Sequence, residues 1–379
     1  MRSVEFFESL YCGIKNYCNQ GVEMVKRVNA LDTVRGMLML YIVLIIHGLF
    51  WLDLLPEWVS SWLLFEMPLM FIVSGYAYYL YENSRPDRNI NIRNSNLLLA
   101  KDYFSFLTSR FIRILVPYAI YAATCVVSIY LLALFGQGNN YPLSDLILAW
   151  INPANYGRGY SFKMLNWHLW FIPVFLIVTA AMPIATKFRP FKNPNLLSVF
   201  VVGVVIQVVV SKADFPGENT IKQAAFYLVF SLLGYYMARS GEYFRGANFS
   251  RIAIVAVIAL ASIAMFGGGH PMNMQVNKFP PNYIFFLFSC LWVSLFLLIL
   301  YKFPSVVEQV ERYADRSWLS PFITSGYSIY LWQGVGYTAA VQAGVILHLP
   351  ILAVWPLALV LSVGFGLLAA PAERVRLRL

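Results

Sequence analysis

Residues 31–50 read LDTVRGMLMLYIVLIIHGLF. The run is long enough to cross a hydrocarbon core, which takes about 20 apolar residues. It nonetheless carries Asp32 and Arg35 at one end and His47 deep in its second half. An ionisable group at the centre of a membrane helix costs about 2.5–3.5 kcal/mol on insertion scales, so it persists where it faces a protein interior or a wet cavity. The segment from Arg35 to His47 therefore reads as the first wall of an intramembrane site.

Composition extends that reading to the whole chain. Apolar residues make up 59% of the 379 positions and charged residues 12%. A soluble domain of this length needs a polar exterior and has no use for so much apolar surface. Apolar runs place ten expected spans at 31–52, 59–81, 111–135, 167–186, 195–211, 222–238, 252–268, 283–301, 322–343 and 351–370. The fold class is all-α, a polytopic membrane protein of about ten transmembrane helices. A β-barrel would show alternating segments of about ten residues instead. A tail over 1–30, with Phe6, Phe7, Leu10 and Tyr11 near one helix face, reads as an amphipathic surface helix. The transmembrane domain covers 31–370, and a basic tail follows over 371–379. Glu5, Glu8 and Glu23 in the first tail argue against a cleaved signal. Cys125 and Cys290 fall inside expected spans, and Cys12 and Cys18 in the tail, which is no disulfide framework.

The net charge of +10 would suit nucleic acid if the basic residues were clustered. They sit in short loops between spans instead, so no nucleic-acid partner is expected. With the N-terminus in the cytoplasm, all but five of the 28 Lys and Arg fall on the cytoplasmic side, the exceptions being Arg158, Lys163, Lys212, Lys222 and Lys278. That asymmetry obeys the positive-inside rule and places both termini in the cytoplasm. Two outer loops, 136–166 and 267–283, are rich in amide and aromatic residues. Such side chains suit a sugar-like ligand, and they equally suit the membrane interface.

Five groups of residues could carry chemistry. His47 lies about 24 Å along its span at 1.5 Å per residue. It is a natural general base, and it could also be a helix-packing histidine. Glu66, in the antiparallel second span, lies about 22 Å from that span's inner end by the same count. The matching depth leads us to expect that it orients or charges the His47 imidazole. Arg110 and Arg113, three apart at the cytoplasmic start of the third span, share a helix face and suit phosphate or an anionic lipid headgroup. Trp167 and His168 open the fourth span, and Ser328, Tyr330 and Gln333 place polar groups inside the ninth. No metal site is expected, because the histidines lack ligand spacing.

In order along the chain, LDTVRG with His47, EMPLMFIVSGY, RFIRILVPY, HLWFIPVFL and SGYSIYLWQG resemble the motifs of the acyltransferase-3 family of membrane proteins. The HLWF element is more similar to the subgroup with glucan succinyltransferases and exopolysaccharide acetyltransferases. The resemblance implies a bacterial inner-membrane O-acyltransferase of ten spans. Its donor would be cytoplasmic acyl-CoA, most often acetyl-CoA, with no permanently bound cofactor. Its acceptor would be a hydroxyl of a surface polysaccharide or lipid-linked glycan. His47 would then be the catalytic histidine, with Glu66 added to the catalytic pair by the depth match rather than by the family. Arg35, Arg110 and Arg113 would hold the coenzyme; Trp167, His168, Tyr330 and Gln333 are expected on the acceptor side from their own polar character and place in the spans.

Two departures carry structural consequences. The family usually sets ten residues between the first-span arginine and histidine, and here there are eleven. On a regular helix ten would leave the two within about 20° of each other, whereas eleven turns them roughly 120° apart. A π-bulge between Arg35 and His47 would absorb the extra residue. The second departure is Gln333, where many members carry a histidine, so a proton-shuttling role at that position is lost. A transporter of a small polar solute and a catalytically degenerate family member are the alternative readings.

Overall fold

The computed structural model describes residues 29–83, 96–134, 142–151, 163–187, 196–211, 218–239, 246–267, 272–303 and 318–374, together with 305, 306, 309 and 312. The amphipathic tail before residue 29, Cys12 and Cys18, most of the loop over 136–166, Arg85, Arg88 and Arg93, and the last five residues of the basic tail lie outside them.

Among the described residues every regular element is helical. In chain order they include α1 (Asn29–Leu40), a π-helical turn (Tyr41–Ile46), α2 (His47–Trp51), α3 (Glu66–Asn83), α4 (Asn96–Leu134), α5 (Leu143–Ile151), α6 (Phe171–Ala185), α7 (Leu196–Ser211) and α8 (Glu218–Arg239). They continue with α9 (Gly246–Phe266), α10 (Met274–Lys278), α11 (Tyr283–Lys302), α12 (Ser320–Thr324), α13 (Gly326–Ile346) and α14 (Ile351–Ala369). A helix stands at each of the ten expected spans. Six are long and apolar enough to cross a membrane: Leu31–Trp51, Glu57–Asn83, Tyr103–Leu131, Asn248–Phe266, Tyr283–Lys302 and Ile351–Glu373. Helices α6 and α7 are shorter, at 15 and 16 residues. Large apolar side chains such as Val257, Met265, Leu352 and Leu368 are exposed, as a lipid-facing surface requires.

The chain divides into two compact units. The first comprises Met1–Leu38, Glu57–Asn94 and Ala181–Ser320. Its tightest seam is α3 against α8. A Cβ on Gly75 would stand 1.8 Å from the Ser231 carbonyl oxygen, and one on Gly234 would stand 2.0 Å from that of Ile72. Small residues on both helices let the backbones touch, the usual device where lipid gives no hydrophobic drive between helices. Ser231 Oγ adds a hydrogen bond to the Phe71 carbonyl. Phe226, Phe230, Phe285 and Phe286 interlock alongside.

The second unit comprises Met39–Pro56, Ser95–Ala180 and Pro321–Leu379. Here α13 and α14 form a hairpin, and a Cβ on Gly336 would meet Ser362 Oγ at 2.4 Å. Tyr121, Leu146, Trp150, Leu169, Ile172 and Leu331 form one apolar core. Trp51, Tyr337, Ala340, Val354 and Ala358 form a second. At the start of α13 the Glu373 carboxylate accepts from the Ser328 backbone N–H, one of the donors a helix start leaves without an intrahelical partner.

Candidate active site around His47

The expected bulge is present. The π-helical turn Tyr41–Ile46 lies within the eleven residues that separate Arg35 from His47, and the His47 backbone N–H donates to the carbonyl of Ile42, five residues back. Such a turn interrupts the α-helical ladder and frees carbonyls for other partners. Two are met from other helices. Tyr337 Oη donates to the Val43 carbonyl at 2.7 Å, and Trp355 Nε1 donates to the Leu44 carbonyl at 2.7 Å. The bulge is therefore held from outside by α13 and α14.

His47 follows directly after this turn and is half-buried. Its Nδ1 lies 2.6 Å from Gln333 Oε1, and Gln333 Nε2 donates to the Tyr330 carbonyl at 2.8 Å. The Trp51 indole stacks on the imidazole with centroids 4.3 Å apart and planes at 14°. One turn on, this ring covers the same helix face as His47. The His168 and Tyr330 rings each lie 6.3 Å from it. His168 is 1% exposed, so it is a buried wall of the cluster. Its Nε2 donates to the Leu331 carbonyl at 3.0 Å, and Tyr330 Oη donates to the His168 carbonyl. These bonds tie the HLWF element to α13. Gly334 makes the approach possible, because a Cβ there would stand 2.6 Å from Tyr121 Oη and 3.0 Å from His168 Cε1. Of the residues expected on the acceptor side, His168, Tyr330 and Gln333 gather at His47, and Trp167 stands 37% exposed.

Glu66 takes a partner that the depth count had not assigned. Its Oε1 is 3.0 Å from Lys278 Nζ, with both side chains buried, while the imidazole of His47 has Gln333. Lys278 is one of the five cations that the charge count left on the outer side. The loop that bears it is more ordered than its composition suggested. Asn273 caps α10 and also bonds Glu57. Asn282 caps α11 and donates to Asn277 Oδ1 at 2.6 Å. Those amides are engaged in capping, which is how asparagine commonly serves at helix starts.

The three arginines expected to hold a coenzyme are described. Arg35 bonds Asp32 at 3.1 Å, one turn away on α1, and is 43% exposed. Arg110 and Arg113 lie on one continuous helix. The Arg110 guanidinium sits 5.6 Å over the Phe106 ring, and Arg113 is exposed. A half-covered and an open guanidinium one turn apart can grip a phosphate together.

Reading the sequence missed the direct bond between Gln333 and His47, the pairing of Lys278 with Glu66, and the part that Tyr337 and Trp355 play at the bulge. The local signals were slight: an amide, a lysine beside prolines, and two aromatic residues in apolar helices.

No curated protein and no solved structure matches the chain. The model of one family, described as an acyltransferase domain, matches residues 28–370. That match covers nearly the whole chain, including the bulged helix, the cluster around His47 and both arginine-bearing helices, and the protein belongs to the acyltransferase-3 family.

Proposed function

We propose that the protein is a membrane O-acyltransferase that moves an acyl group, most simply acetyl, from cytoplasmic acyl-CoA to a hydroxyl of a surface polysaccharide or lipid-linked glycan. The observation that carries this reading is His47: a half-buried imidazole in an apolar helix, set by a π turn and hydrogen-bonded through Nδ1 to Gln333. In this reading His47 takes the proton of the acceptor hydroxyl as the oxygen attacks the thioester carbonyl. A C–O bond forms, the C–S bond breaks, and the departing thiolate recovers the proton as the coenzyme thiol. A positioned base of this kind contributes about 10²–10⁴-fold to rate.

Arg35, Arg110 and Arg113 are the proposed contacts for the coenzyme phosphates. His168, Trp167, Tyr330 and Gln333 are assigned to the acceptor side, and Glu66 is assigned a structural part as counter-ion of Lys278. The aromatic and amide side chains beside His47 (Trp51, His168, Tyr330 and Gln333) favour an uncharged acyl group. The same reading has ten spans and both termini in the cytoplasm, as the charge asymmetry of the loops supports, and sets the protein in a bacterial inner membrane.

The test is mass spectrometry of surface glycans from cells with and without the protein, together with a His47→Ala variant. The expected result is loss of one acyl modification in both the null strain and the variant, with the variant still folded in the membrane. Full modification by His47→Ala would overturn the mechanism. Solute flux into vesicles without an acyl donor would favour transport.

A further inference from the structure

We infer that Gln333 is a positioning residue that holds His47 with its proton on Nδ1, so that Nε2 is the atom that takes the acceptor's proton. The inference rests on reading His47 as the general base.

The orientation of the Gln333 amide follows from what it touches. One end lies 2.8 Å from the Tyr330 carbonyl. A carbonyl only accepts, so this end is the NH₂ group. The other end, 2.6 Å from His47 Nδ1, is then the amide oxygen, which also only accepts. Nδ1 must therefore carry a hydrogen. A neutral imidazole has one N–H, so its lone pair is on Nε2. Gln333 is fully buried, and reversing its amide would set two donors or two acceptors face to face without water to relieve them, which is costly in a low-dielectric interior.

His168 supplies the contrast. Its Nε2 faces the Leu331 carbonyl at 3.0 Å, so its proton is on Nε2. Its Nδ1 is buried without a hydrogen-bond partner. Two imidazoles 6.3 Å apart are thus held in opposite tautomers, and the carbonyls that decide this belong to consecutive residues of α13. When His47 takes a proton, the Nδ1–H bond to Gln333 is kept. The Trp51 ring stacked at 4.3 Å then faces a cation, which an aromatic face attracts. No side chain has to turn during the transfer. At position 333, where a histidine could shuttle a proton, the chain thus has an acceptor that never exchanges one.

The test uses the full-length protein in lipid nanodiscs with ¹⁵N-labelled histidine. The four histidines give few signals, and His47→Gln and His168→Gln identify two of them by loss. The expected spectrum shows a protonated Nδ1 and an unprotonated Nε2 for His47, and the reverse for His168. Gln333→Leu should remove the Nδ1–H preference of His47 and lower kcat by about 10²-fold, at the low end of what a general base contributes. The KM for acyl-CoA should stay within about twofold, because the lost interaction acts in the transition state. Gln333→Glu, which keeps an acceptor for Nδ1 and, with its second oxygen protonated, a donor for the Tyr330 carbonyl, should retain the Nδ1–H form and restore much of the rate. An unprotonated Nδ1 on His47 in the folded wild type would overturn the inference. So would a Gln333→Leu protein with the wild-type tautomer or the wild-type kcat. The tautomers are read without turnover, so acyl transfer by His47→Ala would sink the functional reading while leaving the tautomer assignment standing.

Discussion

Trp355 Nε1 reaches the carbonyl of Leu44 at 2.7 Å, and it does so through space that Gly48 leaves open. A Cβ on Gly48 would stand 2.3 Å from that same nitrogen. The residue just after His47 therefore decides whether the π turn just before it keeps its outside support. Gly48→Ala should push the indole away and leave the Leu44 carbonyl without that donor, at a cost of about 1–3 kcal/mol. The expected readout is a lower melting temperature in nanodiscs, with acyl transfer falling further than stability alone explains. An unchanged melt and rate would show that the indole bond is dispensable.

Tyr337 and Trp355 serve neighbouring carbonyls of one turn, so their effects should not be independent. Tyr337→Phe and Trp355→Phe each remove one hydrogen bond, worth about 0.5–1.5 kcal/mol. If the turn is a single cooperative unit, the double variant should lose no more than the worse single variant plus a small remainder. Denaturation of the four proteins gives the coupling energy, and strict additivity would mean that each bond acts alone.

Arg113 is the cleaner of the two third-span arginines to change, because Arg110 also covers the Phe106 ring. Arg113→Ala should raise the KM for acyl-CoA by about ten- to a hundredfold, since a charge-assisted hydrogen bond contributes roughly 1.5–3 kcal/mol, with kcat little altered. Arg113→Lys should recover only part, because an ammonium cannot form the two-pronged contact. If the effect vanishes in vesicles without anionic lipid, the arginine binds headgroups instead.

Glu66 and Lys278 should fail singly and tolerate joint replacement. Lys278→Met strands a buried carboxylate and should cost about 3–5 kcal/mol, whereas Glu66→Leu with Lys278→Met should melt near the wild type. Acyl transfer by the double variant bears on function: near-normal activity confirms a structural pair, and complete loss with normal stability would restore Glu66 to the catalytic list.

Much of this architecture was legible in the sequence because apolar length along a helix is a local property. Each of the ten expected spans falls on a helix, and the bulge followed from counting residues between Arg35 and His47. Depth along a span is also local, which is why the sequence could assign Glu66 and His47 similar depths by counting alone. Azimuth is not local. Which neighbour a side chain faces depends on how helices far apart in sequence pack, and the His47–Gln333 bond joins positions 286 residues apart. Depth matching therefore could not name the amide that packing sets against the imidazole, nor the lysine it sets against Glu66. Tyr337 and Trp355 were hidden for a related reason: an aromatic residue in a membrane helix has several ordinary uses, and only the bulge beside it reveals the carbonyl it serves.

The Glu66–Lys278 pair also bears on how the chain is made. The two residues are 212 positions apart, so while the ribosome delivers the intervening helices the carboxylate enters the bilayer without its lysine. Charged, it would penalise insertion of its helix by about 2.5–3.5 kcal/mol. The nascent helix can remain near the translocon until the later segment arrives. Arrival of Lys278 then gives the carboxylate its counter-ion and locks the early helix against the late one. Assembly of the first unit would thus be completed by a charge-neutralising step late in synthesis, and chains truncated before residue 278 should be the ones that quality-control proteases remove.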